Sequence, residues 1–478
     1  MSCTATQTFA SSVEQARFIY DAIPSGLFKI EDASERIPWR VSPEPFALSS
    51  KTVANIERIG TDLLAFYRGL NSLYNRSARG TAPAFIAEYL DQGKPEQIVK
   101  LARQNRFKQD IPSVIRPDLM LTESGFVASE LDSIPGGMGF VAAMTQAYCQ
   151  AGIESIGGAH GMAEGFGKAL QAASGVAYPT VAAVVSKEAG DYRAELDWLA
   201  EATRSLGLAN LHVCEPDQII FTEEALFLRF ADGREEKLDA IYRNFELFDL
   251  LNIPKQELML YAARHNRVKM TPPPKAQLEE KLAFALLHHF ALEALWRTEL
   301  GSDTYERLRT LFPQTWVLDP KPIPPQASIA GLTAFGRPVN DWHTLLELGK
   351  SDRDYVVKPS GFSELAWGSR GVKIANDLTK EDWAATLDSA LEAFEHTPHI
   401  LQRFHKGKRI RMPYLDRSID DIKMFDARVR LCPYYFVTGA ETVQLGGILA
   451  TVAPADKRLI HGMSDAVMSP CFVKENGY

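Results

Sequence analysis

The sequence predicts an α/β protein with α+β character: a helical N-terminal region, a small α/β unit and a strand-rich C-terminal half. Three observations carry that prediction. Between Ser49 and Tyr74, apolar residues recur at three and four (Val53, Ile56, Ile59, Leu63, Leu64, Tyr67, Leu70), the stripe of an amphipathic helix. Between residues 176 and 250, short apolar runs alternate with a helical pattern, which is the order of strand–helix–strand units. Around residue 120, and again over Phe425–Leu431, charged and apolar residues alternate at period two, as on strands with one buried face.

Length and composition set the bounds. A chain of 478 residues, 46% hydrophobic and 23% charged, has room for two or three domains and a sizeable core. A net charge of −8 and a pI near 5.8 argue against nucleic-acid binding, and the basic cluster His405–Arg411 is local. No stretch approaches about eighteen uninterrupted apolar residues, and no N-terminal segment joins a basic region to an apolar run. A soluble cytoplasmic protein without membrane contact is expected. Five scattered cysteines (Cys3, Cys149, Cys214, Cys432, Cys471) with no CxxC predict reduced thiols and no zinc site.

Taken in order, residues 1–45 hold polar turns and prolines and predict an irregular arm. Helical patterns cover Ser49–Tyr74 and Ala84–Arg106, and Val114–Thr122 with Phe126–Leu131 predict a hairpin. Phe140–Cys149 and Met162–Ala173 predict helices joined by Gly157-Gly158-Ala-His160-Gly161, a loop that either approaches a ligand closely or simply connects. Tyr178–Lys187, Asn210–Cys214 and Ala240–Arg243 predict strands, with a helix over Tyr192–Leu206 and a further hairpin from Ile219 to Phe230. Thr271-Pro-Pro-Pro274 is a rigid break, and a long helix is expected from Glu279 through Trp296. His288 and His289 are adjacent and lack HExxH spacing, so zinc is not expected there. A second proline-rich connector, Pro320–Pro325, precedes the last domain.

The hairpin carries the chemistry. It reads VIRPDLMLTESGFVASELDSIPGG, with Glu123-Ser124-Gly125 as a three-residue loop. That loop places Thr122 opposite Phe126, and hence Asp118 opposite Glu130 and Arg116 opposite Asp132. One face then holds Arg116, Asp118, Glu130 and Asp132; the other holds Ile115, Leu119, Leu121, Val127 and Leu131. Carboxylates about 5 Å apart at an effective dielectric of about 20 repel by roughly 3 kcal/mol per pair. One arginine cannot offset three such pairs. Hard divalent cations with oxygen ligands would, and Mg²⁺ commonly arrives with phosphates. A solvated face with a surface ion pair is the competing reading.

Further on, Asp354-Tyr-Val-Val-Lys358-Pro-Ser-Gly361 is a strand ending in lysine and a turn, and Gly368-Ser-Arg-Gly371-Val-Lys-Ile374 returns. A strand lysine beside a glycine-bearing loop suits phosphates, as does a surface hairpin that happens to carry a lysine. Asp426, Arg428 and Arg430 share one strand face. Arg243 ends a strand, where it either meets a substrate anion or caps the sheet.

Arg-x-Asp, then Glu-x-Asp twelve residues later, then Pro-Gly-Gly resembles the metal-binding segment of ATP-grasp ligases, with Asp132 where that family has Asn. Because this segment precedes the lysine strand, the order resembles the circularly permuted, glutathionylspermidine synthetase-like group. Supporting resemblances are Ile241-Tyr242-Arg243 (a pre-ATP-grasp strand end), His399–Phe404 (the hinge strand), Leu445-Gly446-Gly447 and Gly462–Asp465. The resemblance implies a permuted ATP-grasp fold with a small Rossmann-like pre-ATP-grasp domain and a helical N-terminal region. Its divisions are 1–108 (arm and helices), 109–175 (the hairpin segment), 176–255 (pre-ATP-grasp), 256–345 (helical connector) and 346–478 (nucleotide-binding half).

It also implies roles. Asp118, Glu130 and Asp132 would hold Mg²⁺; Lys281, Lys358, Gly361, Gly371, Gln402 and Arg430 would hold ATP, with Lys321 the competitor of Lys281; Arg116 and Arg428 would be catalytic. The implied reaction is ATP-dependent joining of a small carboxylate to an amine through an acyl phosphate, which needs no side-chain nucleophile. The alternatives are a nucleotide-binding protein without ligase activity and a phosphotransferase on the same fold. Oligomeric state is not legible.

Overall fold

Strands from distant parts of the chain build the largest sheet. In the computed structural model, residues 8–27, 38–324, 326–366, 370–460 and 465–478 are described. The sheet runs Phe46–Leu48, Val467–Val473, Val443–Pro454, Asp421–Val437, Val114–Thr122, Gly125–Asp132, and Ile410–Asp416 also pairs with Asp421–Val437. All pairings are antiparallel except the first.

Two helical layers cover it. On one face Ile115, Leu119, Leu121 and Ala128 pack with Val429, Leu431 and Tyr435 beneath the helix Ser50–Ser77. This is the predicted amphipathic stripe, begun by a Ser49 cap whose hydroxyl accepts from the Thr52 N–H. On the other face, Cys432, Tyr434 and Phe436 meet the helices Met138–Gln150 and Gly161–Ser174. Those two helices also cover a four-stranded parallel sheet, ordered Lys269–Thr271, Ala240–Asn244, Thr180–Val185, Asn210–Cys214. Its inner strand Thr180–Val185 is a near-continuous apolar run, as a strand buried on both faces requires. A third, antiparallel sheet, ordered Thr315–Val317, His399–Arg403, Tyr355–Pro359, Lys373–Ile374, is backed by the helix Lys380–Glu392.

Several expectations need correction. The N-terminal arm contains a helix, Ser12–Ala22, whose Ser11 cap accepts from the Glu14 N–H. The long helix beginning at Glu279 is broken. Leu282–His288 ends where His289 turns extended (ψ 119°), and Glu293–Leu300 folds back so that Trp296 Nε1 donates to the Leu286 carbonyl. Cys149 is disulfide-bonded, against the expectation of reduced thiols, while Cys214, Cys432 and Cys471 are free; Cys3 lies outside the described residues, as do Gly368 and most of Gly462–Asp465.

The hairpin loop has two residues, Glu123 and Ser124, because Thr122 pairs with Gly125. A bulge at Ser129 restores the register, so Asp118 still opposes Glu130 and Arg116 still opposes Asp132. Ahead of the bulge the faces exchange: Val127, opposite Met120, sits on the charged face rather than in the core. The Gly157 loop approaches backbone, with a Cβ there falling 2.0 Å from the Gly446 carbonyl.

Candidate active site between the two antiparallel sheets

The acidic hairpin faces the small antiparallel sheet across a cleft of about 90 Å³, walled by Asp118, Glu130, Lys358, Gln402 and Arg430 among others. Asp118 is held by two arginines. Arg430, on the neighbouring strand, reaches its Oδ2 at 2.8 Å, and Arg116 reaches Oδ1 at 3.4 Å. Burial alone would raise this carboxyl, but Arg430 and Arg116 outweigh it and hold it below the usual range. Arg116 also bonds Asp132 at 3.0 Å and donates to the Gly136 carbonyl at 3.4 Å.

The lysines come from the opposite side. Lys281, just before its helix, meets Glu130 at 2.8 Å and donates to the Ala366 carbonyl at 3.1 Å. Burial opposes charge on Glu130, yet Lys281 prevails and lowers its carboxyl. Lys358 donates to the Ser129 carbonyl at 2.9 Å and to Gln402 Oε1 at 3.0 Å, so the bulge residue gives this lysine its acceptor. Burial, followed by the acidic Glu130 and the like-charged Lys281 with their opposite pulls, leaves the Lys358 ammonium lowered to about 8. Gln402 is buried, with Nε2 donating to Thr315 Oγ1 at 3.2 Å.

The remaining expected residues are more peripheral. Arg428 lies one strand step from Arg430, but its guanidinium donates to the carbonyls of Gly407 and Lys457, both at 3.0 Å. Gly361 packs where a Cβ would fall 2.7 Å from the Glu279 carbonyl, and Gly371 against Pro359. Lys321 lines other cavities, away from the hairpin. Arg243, fully buried, donates to the Phe245 carbonyl at 2.5 Å and pairs with Glu279. It caps the parallel sheet.

Among the described residues no three His, Cys, Asp or Glu side chains form a ready metal cage, because each hairpin carboxylate turns to a cation. The donor set nonetheless suits Mg²⁺, which commonly takes one or two carboxylates and completes its shell with phosphate and water. Phosphate would also satisfy two buried N–H groups that lack acceptors, Nε of Arg116 and Nε of Arg430.

Glu246 is the residue the sequence reading missed. It follows the strand Ala240–Asn244 at the carboxyl edge of the parallel sheet, where such sheets commonly collect ligands. It lines both a small cavity with Glu130, Asp132 and Lys281 and a larger one, about 450 Å³, that opens beyond. Its position past a strand end was the one available signal.

The architecture is a mixed α/β fold that is shared with a solved structure. The particular likeness is to the apo structure of a glutathione synthetase-like effector from Globodera pallida, covering 97% of both chains at a TM-score of 0.59 and 12% identity. A putative gamma-glutamylcysteine synthetase from Methylobacillus flagellatus KT is also found, over 80% of this chain and 87% of that one, at 12% identity; its TM-score of 0.38 carries no argument. No protein-family model and no curated protein matches the sequence. No helix among the described residues is long and apolar enough to cross a membrane.

Proposed function

We propose that the chain is an ATP- and Mg²⁺-dependent carboxylate–amine ligase of permuted ATP-grasp order, acting on small molecules. The observation that carries this reading is the convergence of Lys281 and Lys358 on a hairpin where Glu130 meets Lys281 while Asp118 and Asp132 engage Arg116 and Arg430. Four cations around three acids make a site where phosphate and a hard metal fit together.

In this reading Asp118, Glu130 and Asp132 would hold the metal, which would neutralise phosphate charge during transfer. Lys358 donates its remaining proton to phosphate, and Lys281 clamps the opposite side. Arg430 and Arg116 present N–H groups toward the transferred group and the carbonyl oxygen that gains charge. The carboxylate substrate becomes an acyl phosphate, which an amine attacks, releasing phosphate. Arg428, bound to backbone carbonyls, would support the wall of the cleft. A nucleotide binder without ligase activity, and a phosphotransferase, remain the alternatives that amine-dependent ADP release separates.

The test is thermal unfolding with ATP, with and without Mg²⁺, on wild type and Glu130→Ala. Ligand at about a hundred times its dissociation constant adds roughly 2.7 kcal/mol of stability. A Mg²⁺-dependent rise in Tm that Glu130→Ala abolishes is expected; no rise at millimolar Mg-ATP would sink the assignment.

A further inference from the structure

The carboxylates of this region differ in one respect. Asp118 has Arg430, Glu130 has Lys281, Asp132 has Arg116 and Glu279 has Arg243. Glu246 has no ion pair or hydrogen bond to its carboxylate among the described residues, although it sits where the small acidic cavity meets the larger one. The two cavities share Glu246, Phe248 and Ser363 in their walls.

Two further features describe this junction. Ser133, 3% exposed, lines the small cavity with its hydroxyl next to that of Tyr67. The larger cavity adds Glu188, Asp249 and Glu364 against the single cation Arg370. An anionic guest would meet repulsion along that path, whereas an ammonium would meet acceptors.

We propose that Glu246 docks the attacking amine as its ammonium ion and takes its proton. The inference rests on the ligase reading and names the amine side of the same site. The step balances. R–NH₃⁺ gives one proton to the Glu246 carboxylate, and the freed nitrogen lone pair attacks the acyl phosphate carbonyl. The C–N bond forms, and the C–O bond to phosphate breaks with its electron pair leaving on phosphate. The second nitrogen proton passes to the departing phosphate, and Glu246 returns its proton to solvent. Burial, then the neighbouring Glu279 and Asp132, push the unpaired carboxyl up to about 8 in the empty site, so it holds a proton at neutral pH; docking of the ammonium favours the ionised form, and that proton leaves to solvent before the carboxylate takes one from the amine.

The experiment exploits hydroxylamine, which is neutral at pH 7 and needs no base. Mg-ATP and a panel of free amino acids and dipeptides as carboxylates are offered with hydroxylamine, or with glycine or 1,4-diaminobutane as ammonium probes. ADP and hydroxamate are measured for wild type, Glu246→Gln and Glu246→Asp. A general base is worth about 10²–10⁴ in rate, so the ratio of ammonium-driven to hydroxylamine-driven turnover should fall at least about 100-fold in Glu246→Gln. Glu246→Asp should recover part of it. An unchanged ratio in Glu246→Gln overturns the proposal while leaving the ligase reading intact. Wild type that forms no hydroxamate and releases no ADP overturns the ligase reading, and this assignment with it.

Discussion

Asp118 shows how far one side chain can bind a site together. It is 4% exposed, it faces Arg116 and Arg430, and it accepts from the Cys432 thiol at 3.3 Å. Removing one member of a buried charge pair strands the others, at a cost of about 3–5 kcal/mol. Asp118→Ala should therefore lower unfolding free energy by about that amount in urea titrations. Glu246 works in the opposite sense. Its folded carboxyl holds a proton up to about 8, against an ordinary value of 4.5. The folded state therefore binds more protons in that window, and this stabilising contribution is lost as pH rises through it. Glu246→Gln should gain Tm relative to wild type between about pH 5 and pH 8; parallel Tm profiles for the two proteins would refute the shift. The opposition of Asp118 and Glu130 was legible because strand faces repeat every two residues. Glu246 was not, since a lone glutamate after an apolar run acquires meaning only from residues brought to it from elsewhere in the chain, Glu279 and Lys281 on one side of it in sequence and Glu130 and Asp132 on the other.

Elements show where local pattern suffices and where tertiary packing takes over. The helix Ser50–Ser77 and the strands of the parallel sheet follow directly from periodicity and apolar runs. The hairpin bulge left no mark in composition, so its loop was misjudged by one residue and Val127 went to the wrong face, while the charged end kept its register. The break at His289 likewise depends on Trp296 folding back, a contact no helical pattern encodes. Gly60 illustrates the packing limit on the long helix. An added Cβ would lie 2.4 Å from the Tyr435 ring, and that ring is fixed because its hydroxyl donates to the Ile56 carbonyl at 2.5 Å. Ala for Gly gains about 1 kcal/mol of helix propensity, but overpacking costs about 1–3. A net loss of stability on Gly60→Ala is expected by thermal denaturation, and a stabilised variant would show that the sheet yields.

For the whole molecule, the cleft depends on how the small sheet is carried. The loop after Lys358 is tied to the N-terminal region through a buried ion pair, Lys94 to Glu280 at 2.5 Å, and Glu280 in turn accepts from Ser360 and from the Phe362 N–H at 3.3 Å. Nucleotide bridging the two antiparallel sheets should slow amide hydrogen exchange in 355–374 and 399–403 together, without slowing it in the parallel sheet at 180–185. Uniform protection across all three sheets would argue that ligand stabilises the chain globally instead of closing this cleft.

The long reach between Asp118 and Arg430 also matters while the chain is being made. The two residues lie 312 positions apart, so at about 5–20 residues per second the ribosome needs roughly 15–60 s to supply the partner strand. Throughout that interval the Val114–Thr122 edge emerges without the strand that covers it, a template for wrong pairing. A nascent chain halted before Arg430 cannot assemble the cleft at all. The cleft can therefore close only after synthesis has passed Arg430.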